Sequence, residues 1–118
     1  MTGIPPNYGK FGSEKAALEA IISRLAEALR PLKVYLFGSR AVGSARPDSD
    51  FDLLVVFDDD APNSNADYHA VSKPLWGMGI GCDVVPLLQS EFQEVLADPT
   101  NPWQRTWASA KKVYERPH

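Results

Sequence analysis

The chain is poor in the features that would take it away from an ordinary globular fold. It has one cysteine, Cys82, in 118 residues, so no intramolecular disulfide can form. It has no apolar run near the roughly 18 residues needed to span a bilayer. Basic charge is also scarce: 12 Lys and Arg against 15 Asp and Glu leave a formal net charge of -3. That balance gives none of the broad positive footprint that long nucleic-acid contacts require, so direct nucleic-acid binding is not expected. The opening "MTGIPPNYGKFG" lacks the charged-then-apolar layout of a signal peptide, and a cytoplasmic location is expected. No repeat or low-complexity tract is visible. The two histidines, His69 and His118, have no evident partner residues and receive no role.

What is present is balanced: 44% hydrophobic and 23% charged residues, enough for one core. A single domain over residues 1–118 is expected. "SEKAALEAIISRLAEALRP" places Leu18, Ile21, Ile22, Leu25 and Leu29 at helical spacing, with Ser13 as N-cap and Pro31 as stop. "KVYLFG" and "FDLLVVF" predict strands, the second apolar except at Asp52 and so buried on both faces, as in a sheet covered by helices.

Further on, "DDDAPNSN" is a loop by composition, and Asp58, Asp59 and Asp60 in it are expected to be solvated. "ADYHAVSKPLWGMG" can be helical with a break at Pro74. "IGCDVVPLLQ" predicts a third strand, with Pro86 arguing for an edge position. "SEFQEVLA" carries Ser90 and Gln93 in capping-box positions. A last helix is expected after Asn101-Pro102, with Trp103, Trp107, Ala110 and Tyr114 on one face.

The stretch "LFGSRAVGSARPDSDFDLLVVF" departs from ordinary strand chemistry. Aspartate is disfavoured in strands, yet Asp50 and Asp52 open one, two residues apart and therefore on the same face. Unit charges 4 Å apart repel by roughly 4 kcal/mol at an effective dielectric near 20, so such a pair calls for a cation. Asp83, the acidic residue of the third strand, joins them if that strand is a neighbour. Oxygen donors of this kind suit Mg²⁺ or Mn²⁺, which can promote in-line displacement at phosphorus. Gly38 lets the backbone approach an anion closely, and Ser39 adds a hydroxyl. Arg40 or Arg46 can add charge to the same cradle. Cys82 adjoins Asp83 and so faces the other way, as a buried small hydrophobe.

Gly38-Ser39, ten intervening residues and Asp50-Phe51-Asp52 resemble the signature of the DNA polymerase beta-like nucleotidyltransferase superfamily, with Asp83 matching its third carboxylate. By chance the four fixed residues recur about once in 10⁵ start positions. The small size, "GSRAVG", "RPDSDFDLLV" and "CDVV" are most similar to the minimal nucleotidyltransferases, the MNT proteins, from about Val34 to Phe92. The resemblance implies an α/β (α+β) fold: a small mixed sheet with helices packed on one side. It implies transfer of a nucleoside monophosphate, by default AMP from ATP, to a hydroxyl with release of pyrophosphate. Asp50, Asp52 and Asp83 would then be the catalytic and metal-binding residues for Mg²⁺ or Mn²⁺, and Gly38, Ser39 and Arg40 would hold the triphosphate. MNT proteins are often antitoxins of HEPN-domain ribonuclease toxins, so a HEPN-domain partner protein is the implied acceptor. The alternatives are a small-molecule acceptor such as an aminoglycoside, or a non-catalytic antitoxin acting by occlusion.

Overall fold

The computed structural model describes residues 4–61 and 67–117. The first helix, α1, runs Glu14–Leu29. Ser13 caps it as expected, its hydroxyl accepting from the Ala16 N–H at 3.1 Å, and the chain leaves it through Arg30 in the left-handed region before Pro31. Strand β1 (Lys33–Phe37) follows, then a short helix α2 (Ser39–Val42) and strand β2 (Phe51–Phe57).

Helix α3 (Tyr68–Ser72) passes into a 3₁₀ turn at Lys73–Leu75. Pro74 sits in that turn, where its missing N–H is not needed by a longer ladder. The start of the expected helical segment, and the second half of the loop before it, lie outside the described residues. Strand β3 (Cys82–Leu88), helix α4 (Gln89–Ala97), helix α5 (Gln104–Ala108) and strand β4 (Lys111–Glu115) complete the order.

The four strands form one mixed sheet in the order β3-β2-β1-β4. β2 pairs parallel with β3 and antiparallel with β1, and β4 adds antiparallel to the outside of β1. β3 is an edge strand, the position Pro86 argued for.

The side chains of β2 alternate between two cores. Phe51, Leu53, Val55 and Phe57 meet α1 through Ala17, Ile21 and Leu25, together with Val71 and Leu75 from the crossover. Leu54 and Val56 meet Phe92 of α4 and Trp107 of α5. The class and the mixed sheet are as implied by the resemblance, but the helices lie on both faces rather than one. The reason is in β2 itself: apolar residues of both parities are fully buried, and each parity needs a cover.

Three local expectations are corrected. The reciprocal cap of α4 is Glu91, whose Oε1 accepts from the Leu88 N–H at 2.8 Å, while Ser90 gives its own N–H to Asp59 at 2.9 Å. Asp59 is therefore a capping group and not merely a solvated charge, and Asp58 pairs with Arg116. The last helix is also shorter than expected. Tyr114 belongs to β4, because Lys111–Glu115 completes the open edge of β1.

Candidate active site

β1 ends at Phe37, and Gly38 then turns the chain with φ +74° into the first turn of α2. A side chain could not replace this glycine, since a Cβ there would overlap Asp52 Oδ2 and lie 3.2 Å from its Cγ. The backbone at Gly38 thus lies against the Asp52 carboxylate, with Ser39 opening the turn beside it.

Antiparallel pairing sets Phe37 opposite Asp52, and parallel pairing sets Asp52 opposite Asp83. The two carboxylates therefore leave neighbouring strands, about 4.8 Å apart, on one face. That face is the one covered by α4 and α5, because Asp52 shares the parity of Leu54 and Val56. Asp50 lies just before β2, with its carboxylate against Gly81, where a Cβ would overlap Oδ1 and lie 3.4 Å from Cγ. The electrostatics register the crowding. The Asp52 carboxyl is pushed above its ordinary value by burial first, then by the charges of Asp83 and Asp50, with Arg40 opposing. Among the described residues, no three His, Cys, Asp or Glu side chains are gathered into a group that could hold a metal ion.

Cys82, on the other side of the sheet, packs against the α1 core. Its thiol is pushed up to about 12 by burial and by the negative charges of Asp50 and Asp52.

Arg40, expected to reach phosphate, is committed elsewhere. It is only 6% exposed. Nε and Nη2 donate to Ser49 O at 3.2 and 2.7 Å, and Nη2 also donates to Pro47 O at 3.0 Å and Arg46 O at 3.4 Å. Nη1 pairs with Glu14 at 3.0 Å, and the guanidinium lies 4.2 Å from the centroid of the Phe51 ring. The planar fork thus closes the loop between α2 and β2 and fixes where Asp50 emerges. Arg46 is exposed and contributes its N–H to the Ser49 hydroxyl at 2.9 Å.

A cavity of about 350 Å³ adjoins Asp83, lined among others by Phe37, Tyr68, Trp103 and Trp107. Trp103 is 52% exposed and stacks on buried Trp107 with ring centroids 6.0 Å apart. Sequence reasoning placed the tryptophans together but did not connect them to Asp83. The missing signal was register, which sets Asp83 on the same face as Val85 and Leu87. A larger open groove of about 730 Å³ between α1 and β4 contains none of the three aspartates.

The fold defines the class: a mixed α/β sheet of nucleotidyltransferase type. The chain belongs to the nucleotidyltransferase domain family, which it matches over residues 18–101. Membership makes nucleotidyl transfer from a nucleoside triphosphate its general activity, and domains of this family typically use a divalent metal. A crystallised Sulfolobus solfataricus protein, described as a candidate nucleotidyltransferase, resembles the chain with a TM-score of 0.58 and 24% identity, over 84% of this chain and 78% of that one. That likeness concerns the fold. No curated protein matches the chain.

Proposed function

We propose that this chain transfers a nucleoside monophosphate, with ATP as the default donor, to a hydroxyl group of a partner protein. The observation that carries the reading is the row Phe37–Asp52–Asp83 across three strands, with Gly38 lying against the Asp52 carboxylate. The donor chemistry fits Mg²⁺ or Mn²⁺, since it consists of carboxylate oxygens whose mutual repulsion a bound cation would neutralise, and the three side chains, not gathered on one point in this structure, would draw together around it. Asp50, Asp52 and Asp83 are the residues that would hold it. When bound, such a cation would polarise the α-phosphate and screen the charge on the leaving pyrophosphate.

The chain's own groups do the rest. Gly38 and Ser39 hold the triphosphate at the first turn of α2. Arg40 acts one step back, by holding the loop that delivers Asp50. The acceptor hydroxyl approaches through the cavity beside Asp83, which takes its proton as oxygen bonds to the α-phosphorus. The bond from that phosphorus to the bridging oxygen breaks, and pyrophosphate leaves.

The MNT-like motif run supports a further step: the chain is the cytoplasmic antitoxin of a HEPN-domain ribonuclease, which it modifies. The test is incubation with α-phosphate-labelled ATP and Mg²⁺ in a lysate of the source cells, beside Asp52→Asn. One labelled protein band that depends on Asp52 is expected, with at least about a 100-fold loss in the variant. Pyrophosphate release without a band would give the reaction a small-molecule acceptor. No Asp52-dependent turnover with any nucleotide would leave occlusion as the mode of action.

A further inference from the structure

The segment before α1 lies outside residues 18–101, the span that matches the family. It nevertheless reaches the catalytic end of the sheet. The backbone N–H of Asn7 donates to Pro47 O at 2.8 Å. Its side-chain Nδ2 donates to Ser49 O at 3.0 Å and to Gly81 O at 2.8 Å, and its Oδ1 accepts from the Gly81 N–H at 2.6 Å. Both amide hydrogens are thus used, and the side chain meets Gly81 as a peptide unit would, by giving and accepting one bond each. Gly81 O also accepts from the Phe51 N–H at 3.0 Å, so Asn7 extends the β2–β3 ladder by one link.

Its anchor points flank the carboxylates. Ser49 directly precedes Asp50, and Gly81 lies two residues before Asp83. The Asp50 carboxylate lies against Gly81, so a Cβ there would displace it and would also come 3.4 Å from Asn7 Nδ2. Asp52 feels the negative charges of both Asp83 and Asp50 here, and Asn7 ties the starts of β2 and β3 together beside them. The segment is itself seated: a Cβ at Gly9 would collide with Met78 O, and the Arg40 guanidinium stands 5.6 Å from the Tyr8 ring centroid.

We infer that Asn7 is a positioning residue of the nucleotidyl-transfer site, fixing the spacing between Asp50 on one strand and Asp83 on its parallel neighbour. The inference rests on the role proposed above for those carboxylates. Groups that orient metal ligands from behind typically change metal affinity or activity 10–100-fold when removed.

The experiment measures Mn²⁺ binding by electron paramagnetic resonance, and amide exchange at Gly81 by NMR, for the full chain and for Asn7→Ala. The expected result is a Mn²⁺ dissociation constant raised about 10–100-fold with faster Gly81 exchange, in a variant with unchanged circular dichroism. Asn7→Gln, which keeps the amide but moves it by one methylene, serves if the alanine variant does not fold, with the same expected rise. A folded variant that binds Mn²⁺ within about twofold of the parent would overturn the inference and leave the proposed reaction standing. So would unchanged exchange at Gly81. A parent chain that binds no Mn²⁺ would overturn the metal-dependent reading, and the inference would fall with it.

Discussion

Asp52 is partly buried beside two other acidic groups, and this gives its ionisation a definite sign in the stability of the chain. Its carboxyl is raised above the ordinary value of 3.8, so the folded state holds that proton more tightly than the unfolded state. Stability therefore falls as pH rises through the window between 3.8 and the raised folded value, and the full penalty is present at neutral pH. Asp52→Asn, which the proposed function predicts to lose activity, is expected to melt higher than the parent near pH 7. The advantage should shrink below pH 3.8, as thermal melts across pH would show. Cys82 gives a second residue-scale test. With its thiol at about 12, almost no thiolate exists at neutral pH, and alkylation by iodoacetamide should be far slower than for an exposed cysteine. Arg40→Lys keeps the charge but loses the fork that binds three carbonyls. We expect a loss of about 2–3 kcal/mol in urea unfolding, because hydrogen bonds to a charged group are lost from a buried site. Arginine in "GSRAVG" read as a phosphate ligand because charge beside a glycine turn suggests one. Its burial depends on Glu14 and Phe51, which no local pattern connects to it.

At the scale of elements, the parts legible in the sequence are those fixed by short-range chemistry. Ser13 as a cap, Pro31 as a stop and Pro86 at an edge each follow from what one residue can accept or cannot donate. β4 was not legible. Its alternation is weak, with Val113 and Tyr114 both half-buried across an irregular register, and a helical face through Trp107 and Tyr114 fits the same letters. The open edge of β1 decided the outcome, and an edge is a tertiary fact. The same holds for Asp59, whose role as a cap exists only because α4 begins beside it. α4 and α5 are held to the sheet by a run of rings, Tyr35 to Phe92 at 4.9 Å and Phe92 to Trp107 at 6.3 Å. Trp107→Ala should accordingly cost about 3–5 kcal/mol in chemical denaturation. Trp103→Ala, at an exposed position, should cost less than about 1 kcal/mol while weakening acceptor use.

For the whole molecule, the carboxylates and the glycine turn are two features that the sheet brings into one place. The candidate site was legible as residue types and spacing. Its third carboxylate depended on β3 being the parallel neighbour of β2, which only the topology supplies. Ligand linkage tests the assembled site. Mg²⁺ with ATP at about 100 times its dissociation constant should stabilise the parent by about 2.7 kcal/mol, and Asp50→Asn should abolish the effect in thermal melts. The arrangement also bears on the order in which the chain folds. The glycine turn, Asp50 and Asp52 all belong to one antiparallel β1–β2 pair, closed by Arg40 across only nine residues to Ser49. Asp83 must return over a crossover through α3 to reach its parallel position, and closing that longer loop carries a larger entropic penalty. A chain still emerging from the ribosome can therefore form the cradle and its first two carboxylates as a local hairpin, while catalytic competence waits for β3.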